Sequence, residues 1–153
     1  MRRLIICFAF ALLLAAPLAA SAATGKVVKV LPHFLDLKGR HSLSPSLYDR
    51  DAYQAQLRAN PDQRSGLRFD VQWRAQSVQD KLKLKVELRG TAKGDFPGST
   101  TLESEIAPGH KNSRWSALTL AGEDYKRFGE VTAWRVTLWD GEQLVGEQKS
   151  FLW

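Results

Sequence analysis

Reactive and metal-binding side chains are scarce in this chain of 153 residues, which contains one cysteine and three histidines. The cysteine, Cys7, lies inside an apolar run at the N-terminus, so we expect the rest of the chain to have no disulfide and no thiol chemistry. The histidines are His33, His41 and His110, and their spacing does not predict convergence on a zinc ion. We therefore expect no metal site and no cofactor.

The motifs of common catalytic sites are also missing: the sequence has no Gly-rich phosphate loop, HExxH, CxxC or GxSxG. Asp49 and Asp51 are two apart on a predicted helix, so their side chains point about 200° away from each other. Glu103 and Glu105 share one face of a predicted edge strand, which offers no cleft for a glycosidase pair. The serines near His41 form a local cluster and not a triad: Ser42, Ser44 and Ser46. We expect a protein that is not an enzyme.

The N-terminus has the pattern of an export signal. A basic start (MRR) precedes an apolar run over residues 4–20, and small residues (ASA) end at Ala22. This predicts a signal peptide over residues 1–22 and a single domain over residues 23–153, exported to the bacterial periplasm or beyond. A membrane anchor is the weaker alternative because Pro17 interrupts the run, which is short for the ~20 residues that span a bilayer. We expect no transmembrane segment after cleavage.

Positive charge is modest. The formal net charge is +6, and loss of Arg2 and Arg3 with the signal peptide leaves 6 − 2 = +4. That excess is small for a dedicated nucleic-acid binder, and an exported protein rarely meets nucleic acid. We expect no nucleic-acid partner, and the sequence carries no signal for an oligomeric state.

Two runs of alternating apolar and polar residues organise the chain, one over residues 67–75 and one over residues 82–88. They predict two half-buried strands over one core. A tight hairpin through residues 77–80 would place like charges opposite each other, which destabilises a strand pair: Arg68 with Arg89, Asp70 with Glu87, and Arg74 with Lys83. A register shifted by two residues relieves part of this conflict. We prefer the other alternative, in which the two strands lie in different sheets and are joined by an arch.

Five further strands are predicted from short apolar runs bounded by turn residues. They cover residues 26–37, 100–106, 113–120, 131–140 and 143–153. Pro32 makes the first an edge strand or splits it into two pieces, because proline cannot donate to a ladder. The weakly apolar run 100–106 also suits an edge. Residues 121–130 are predicted to form a polar connection, and Trp153 is expected to cover an end of the core.

One helix is predicted over about residues 46–59, inserted between the first two strands. Ser44 suits the N-cap, Pro45 suits the first turn, and Asn60 and Pro61 end the run. The apolar residues of the helix do not form one broad stripe. We therefore expect it to pack through one narrow face and to leave at least one tyrosine partly exposed.

Seven short strands at this spacing predict an all-β sandwich. The stretch LRFDVQW, ending at Trp73, resembles strand B of a fibronectin type III domain, and WRVTLWDG, beginning at Trp134, resembles strand F of such immunoglobulin-like folds. The resemblance implies a seven-stranded immunoglobulin-like or fibronectin type III-like sandwich with one short inserted helix. It also implies ligand binding or adhesion through loops or strand edges. The chain departs from the family pattern in having Trp134 where tyrosine is usual, in the inserted helix, and in having no tyrosine corner at Tyr125.

The outward residues of two strands, 81–89 and 131–140, form the first candidate surface. In an immunoglobulin-like topology these strands pair, which places a basic stripe beside a tryptophan. This predicts a site for an acidic polysaccharide or another polyanion at Lys83, Lys85, Arg135 and Trp139. The alternative is that these charges only keep the sheet soluble and its edges unpaired.

The predicted helix is the second candidate surface, because tyrosine and arginine together are typical of protein contacts. The residues concerned are Tyr48, Arg50, Tyr53 and Arg58. On this reading the chain is a protein-interaction or envelope structural component, and Tyr53→Ala weakens binding more than Lys85→Ala does. Equally, the helix can simply cap one open end of the core. The sequence as a whole indicates an exported, non-catalytic binding module.

Overall fold

The computed structural model describes residues 24–76, 81–91, 96–106 and 114–153. Its strands are β1 (Thr24–Asp36), β2 (Arg64–Gln76), β3 (Leu82–Thr91), β4 (Pro97–Ile106), β5 (Arg114–Ala121), β6 (Glu130–Asp140) and β7 (Gln143–Lys149). Helix α1 (Leu47–Ala59) and a 3-10 turn (Pro61–Gln63) connect β1 to β2, and helix α2 (Gly122–Phe128) connects β5 to β6. The predicted signal peptide and His110 lie outside the described residues. Within those residues, no helix combines the length and the apolar character needed to span a bilayer.

The strands form two antiparallel sheets, a three-stranded sheet in the order β1-β2-β5 and a four-stranded sheet in the order β4-β3-β6-β7. Strands β2 and β3 belong to different sheets, as predicted. The residues predicted to join them in an arch, 77–80, lie outside the described residues. Strands β1 and β4 are edge strands, as predicted. Strands β3 and β6 are paired, as the candidate surface requires.

The core lies between the two sheets and is built from the two alternating runs. Phe69, Val71 and Trp73 of β2 are completely buried, and so are Leu84 and Leu88 of β3. The indole nitrogen of Trp73 donates to Ser116 Oγ at 3.0 Å, so the largest core side chain has its polar atom satisfied. The fold is an all-β sandwich, as the sequence predicted.

Strand β1 runs through Pro32 without a break, so of the two predicted alternatives the edge strand is correct and the two short pieces are not. The backbone N and O of Phe34 point away from β2 and bond to the side chain of Gln54 on α1. Alternate residues of a strand direct their backbone groups to the same side, so the nitrogen of Pro32 faces the same free edge. The ladder with β2 therefore needs no donor from Pro32.

Three local predictions are corrected. Helix α1 is capped by Ser46 and not by Ser44, since Ser46 Oγ accepts from the backbone N of Asp49 at 3.4 Å. The predicted polar connection after β5 contains α2, whose acidic first turn and basic last turn suit the helix dipole. Strand β7 ends at Lys149, so the predicted extension to Trp153 was too long.

The sequence predicted that Trp153 would cover an end of the core, and this prediction was wrong. Its ring lies beneath the guanidinium of Arg89, 3.9 Å from the carbon Cζ to the ring centroid. Arg89 alternates with the buried residues of β3, so this contact lies on the outer face of the four-stranded sheet. Phe151 and Leu152, just before it, are exposed.

Candidate functional site

The outer face of the four-stranded sheet brings the predicted polyanion site together. Lys83 is directly opposite Trp139, Lys85 is opposite Thr137, and Arg135 is opposite Glu87. The four predicted residues, Lys83, Lys85, Arg135 and Trp139, therefore form one surface, which we call the paired face. The name refers to the carboxylates that lie beside its three cations.

Each cation of the paired face has a carboxylate beside it. Lys83 Nζ and Lys85 Nζ lie 3.6 Å and 3.1 Å from the carboxylate of Glu103 on β4. Arg135 Nη2 lies 3.1 Å from Glu147 on β7, and its Nε lies 3.6 Å from Glu87. The hydrogen bond from Lys85 lowers the pKa of Glu103, so this carboxylate is ionised at neutral pH. The face is basic along β3 and close to neutral once its neighbours are counted.

The aromatic member of the paired face is also engaged internally. The Nζ of Lys85 lies 5.7 Å from the ring centroid of Trp139, within the range of a cation–π contact. The indole nitrogen of Trp139 donates to Thr137 Oγ1 at 2.9 Å. A polyanion would have to compete with these contacts to bind there.

The outer face of the three-stranded sheet has the opposite character. Lys26 on β1 is directly opposite Arg74 on β2, and Gln72 lies between Lys29 on β1 and Trp115 on β5. The three cations are exposed, and Trp115 is 52% exposed. Among the described residues, none of the three has a carboxylate within ion-pair distance. We call Lys26, Lys29, Arg74 and Trp115 the open basic patch.

Farther along the same outer face, charges are again paired. Arg68 Nη2 lies 2.8 Å from Asp70 Oδ1, and His33 Nε2 lies 3.8 Å from Asp70 Oδ2. Burial lowers the pKa of His33, and the charge of Asp70 offsets part of that effect. The rings of His33 and His41 are 5.4 Å apart, a proximity that their spacing in the sequence did not predict. The described ranges contain no group of three side chains able to hold a metal ion.

The four predicted partner-binding residues of α1 do not form one surface. Tyr48 is 83% exposed and Arg58 is also exposed, but Tyr53 turns toward the sandwich and donates its hydroxyl to Asp36 Oδ2 at 2.8 Å. Arg50 is half-buried. The narrow packing face predicted for the helix is made by Tyr53, Gln54 and Leu57, of which the last two are buried.

Gln54 attaches α1 to the free edge of β1 as another strand would. Its side-chain Oε1 accepts from the backbone N of Phe34 at 2.8 Å, and its Nε2 donates to the backbone O of Phe34 at 2.9 Å. The same Nε2 donates to the carbonyl of His41 at 2.8 Å. The side-chain amide thus completes two backbone hydrogen bonds and covers the edge strand at this point.

Asp36, at the end of β1, is the anchor for the loop before α1. Its carboxylate accepts from the backbone N of Lys38 and of Arg40, from the Arg40 guanidinium and from Tyr53. Burial alone would raise the pKa of Asp36, but these hydrogen bonds outweigh it and hold the pKa well below its usual range. The loop and helix are therefore tied to an ionised, buried carboxylate.

Arg64, which the sequence analysis missed, stabilises the C-terminal end of α1. Its Nε donates to the carbonyl of Leu57 at 2.6 Å, and its Nη2 donates to the carbonyl of Arg58. Its Nη1 lies 3.3 Å from Glu130, and its Cζ lies 4.1 Å from the ring centroid of Phe34. A cation near the last carbonyls of a helix was the available signal, since such carbonyls lack partners within the helix.

No protein-family model, curated protein or solved structure matches this chain. Two of the residues weighed as catalytic candidates make local contacts: Glu103 binds two lysines, and Ser46 caps α1. The function must therefore be inferred from the surfaces themselves.

Proposed function

We propose that this protein is an exported, non-catalytic binding module with an immunoglobulin-like or fibronectin type III-like sandwich, and that it binds an acidic polysaccharide or another polyanion. The neighbourhood of β3, β6 and β7 in one sheet, opposite β1, β2 and β5 in the other, supports this fold type. The contact surface in the proposal is the open basic patch, in place of the paired face.

The observation that carries the proposal is the direct opposition of Lys26 and Arg74. Like charges across a strand pair are destabilising, and elsewhere on this molecule such cations have carboxylate neighbours. Among the described residues this pair has no carboxylate within ion-pair distance, and it lies beside a third cation and an exposed tryptophan, so an anionic ligand would stabilise it. We expect the ligand to be held by charge and by stacking on the tryptophan.

The dimensions of the patch favour a polymer over a small anion. Neighbouring strands are about 4.8 Å apart, so the three strands carry the patch across roughly 10 Å of flat surface. A linear chain with repeating sulfate, phosphate or carboxylate groups can meet Lys26, Lys29 and Arg74 together, while a sugar ring stacks on Trp115. A single small anion would meet only one or two of these groups.

The test measures the affinity of the purified protein for a sulfated polysaccharide such as dextran sulfate. Lys29→Ala/Arg74→Ala is compared with the matched variant Lys83→Ala/Lys85→Ala on the paired face. We expect Lys29→Ala/Arg74→Ala to lower the affinity about tenfold, because it removes two exposed contacts that are each weak alone. Lys83→Ala/Lys85→Ala should change the affinity less than about twofold. Affinity should also fall as salt rises through about 0.1 M, because exposed charges are then screened.

Two results count against the proposal. Equal affinities for the two double variants would show that the cations act only through the net charge of the protein. A larger loss for Lys83→Ala/Lys85→Ala would return the site to the paired face.

A protein partner at α1 is the second candidate function, favoured by exposed apolar side chains at the start of the helix. Leu47 is 66% exposed and Tyr48 is 83% exposed, while Leu43 just before them is 60% exposed. A photo-crosslinking residue in place of Tyr48 should capture a specific envelope protein in cells. The same residue in place of Asp62, which is exposed beyond the helix, is the control. Equal crosslinking at both positions would argue against a partner site at α1.

A further inference from the structure

A cleft of about 370 Å³ opens on the side of the sandwich where β1 and β7 face each other. At one end of this side the sheets close tightly: a Cβ on Gly25 would lie 2.8 Å from Val145, and one on Gly146 would lie 2.9 Å from the backbone N of Val27. At the other end β7 stops at Lys149 while β1 continues, and α1 forms the outer wall. The volume lies within the range of about 300–1,000 Å³ that is usual for small-ligand sites.

The floor of the cleft is apolar and aromatic, and its rim is polar. The floor is lined by Pro32, Phe34, Leu67, Val131 and Trp134. The helix contributes Asp51, Gln54 and Arg58, β1 also contributes His33, and the opposite rim has Thr132 and Ser150. An apolar floor with a few polar groups above it is the usual make-up of a site for a small organic ligand.

Asp51 and Arg58 are the polar groups of the cleft that the protein leaves open. Both side chains are exposed, and neither has a hydrogen bond or an ion pair with any described residue. Gln54 between them is fully occupied with Phe34 and His41, which fixes the helix over the cleft. Seven residues of helix separate Asp51 from Arg58 by about 10 Å, so one ligand of that length meets both.

Trp134 supplies a third open group. Its backbone N donates to Ser150 Oγ, just beyond β7, at 3.0 Å, while its ring packs at 66° against Phe69. Its indole N–H has no acceptor among the described residues, although the side chain is half-buried. Trp134 lines the cleft, and a buried indole usually donates a hydrogen bond, so a ligand bound there can supply the missing acceptor.

We propose that this cleft binds a neutral saccharide of one or two rings. The C–H face of a sugar ring packs on the aromatic floor, and its hydroxyls donate to Asp51 and accept from Arg58 and from the indole N–H of Trp134. Opposite charges on the rim cancel, which disfavours a ligand with net charge. The site is separate from the open basic patch and does not depend on the proposed polyanion function.

The experiment follows the indole N–H resonances of the full protein by ¹H–¹⁵N NMR. The probes are cellobiose, maltose and chitobiose, each titrated to about 10 mM, since affinities for such small ligands fall in the millimolar range. The Trp134 resonance is assigned with Trp134→Phe. We expect one probe to shift the Trp134 resonance saturably, to leave the Trp115 resonance in place, and to bind equally well at low and high salt.

Two helix variants locate the site. Asp51→Asn and Arg58→Gln should each weaken binding about tenfold, because each removes a charge-assisted hydrogen bond. Asp49→Asn, two residues away and on the other side of α1, should leave binding unchanged. The proposal is overturned if none of the three saccharides shifts Trp134, if the shift persists with equal affinity in Asp51→Asn and Arg58→Gln, or if added salt abolishes it.

Discussion

The paired face and the open basic patch each contain three cations, but only the cations of the paired face have a described carboxylate beside them. On the four-stranded sheet, Lys83 and Lys85 share Glu103, and Arg135 lies between Glu87 and Glu147. On the three-stranded sheet, Lys26 and Arg74 are opposite each other with no carboxylate among the described residues to separate them. The difference shows that a count of basic residues along a strand does not locate an anion site, because the neighbouring strands decide whether the charges are already paired.

The largest expected effect is a loss of stability that leaves the binding properties of both faces unchanged. Asp36→Asn removes the ionised acceptor of Tyr53 and Arg40, and we expect it to lower the free energy of unfolding by about 3 kcal/mol. Polyanion affinity of the folded fraction should stay unchanged, since Asp36 belongs to neither face. Chemical denaturation followed by fluorescence measures the free energy of unfolding. Asp62→Asn, which changes an exposed aspartate, is the control.

The stability effect of Asp36→Asn has a defined pH dependence. The pKa of Asp36 is depressed in the folded protein, so its stabilisation is complete above the ordinary aspartate value of about 3.9 and is lost as pH falls toward the folded value. The gap between the wild type and Asp36→Asn should therefore be constant near neutral pH and narrow below about pH 4. A gap that widened in acid would contradict the assignment.

Arg74→Glu should sharpen the comparison by acting in opposite directions on binding and stability. The new carboxylate would lie opposite Lys26 and convert a repulsive pair into an attractive one. We expect polyanion affinity to fall at least about tenfold while the melting temperature rises slightly. Lys83→Glu makes the same change of charge on the paired face and should alter the affinity far less. Loss of both binding and stability in Arg74→Glu would indicate damage to the fold.

Glu103→Gln should make the paired face resemble the open basic patch. Removing this carboxylate frees Lys83 and Lys85, so we expect polyanion affinity to rise about threefold. The control is Asp62→Asn, which removes one negative charge elsewhere. An equal rise in both variants would mean that net charge, and not the pairing of particular residues, controls binding.

The smallest effect is the dependence of that gain on pH. Lys85 holds the pKa of Glu103 below its usual range, so the carboxylate stays ionised until pH falls below about 4.5. Under more acidic conditions the wild type itself loses this charge, and its affinity for a sulfated polymer should approach that of Glu103→Gln. Circular dichroism at each pH verifies that the protein remains folded.

The sandwich was predictable because its strands carry their own signal. Alternation in β2 and β3 identified the buried residues, and the clash of like charges in a tight hairpin indicated that these strands lie in different sheets. Helix α1 was predicted from its capping residues. The prediction placed Pro45 in the first turn and therefore placed the N-cap at Ser44, two residues before the observed Ser46. Helix α2 was missed because it is only seven residues long and most of its residues are polar.

The distribution of free charge was not predictable from the sequence in the same way. Glu103 was placed on an edge strand, but nothing in its own segment indicated that β4 pairs with β3 and brings it to Lys83 and Lys85. Lys26 and Arg74 meet only through the β1–β2 register, far apart in the chain. Arg64 is the first residue of β2 and precedes the alternating run over residues 67–75, so no periodicity marks it. Tyr53 was predicted to face a partner, because nothing in its own segment indicates the hydrogen bond that it donates to Asp36.

The most direct test follows the indole resonances of the wild-type protein by ¹H–¹⁵N NMR during titration with a short dextran sulfate. Trp115 belongs to the open basic patch and Trp139 to the paired face, so one spectrum reports on both. We predict that the Trp115 resonance shifts saturably and returns toward its free position as salt is added, while the Trp139 resonance stays in place. A shift of Trp139 with Trp115 unmoved would contradict the central claim.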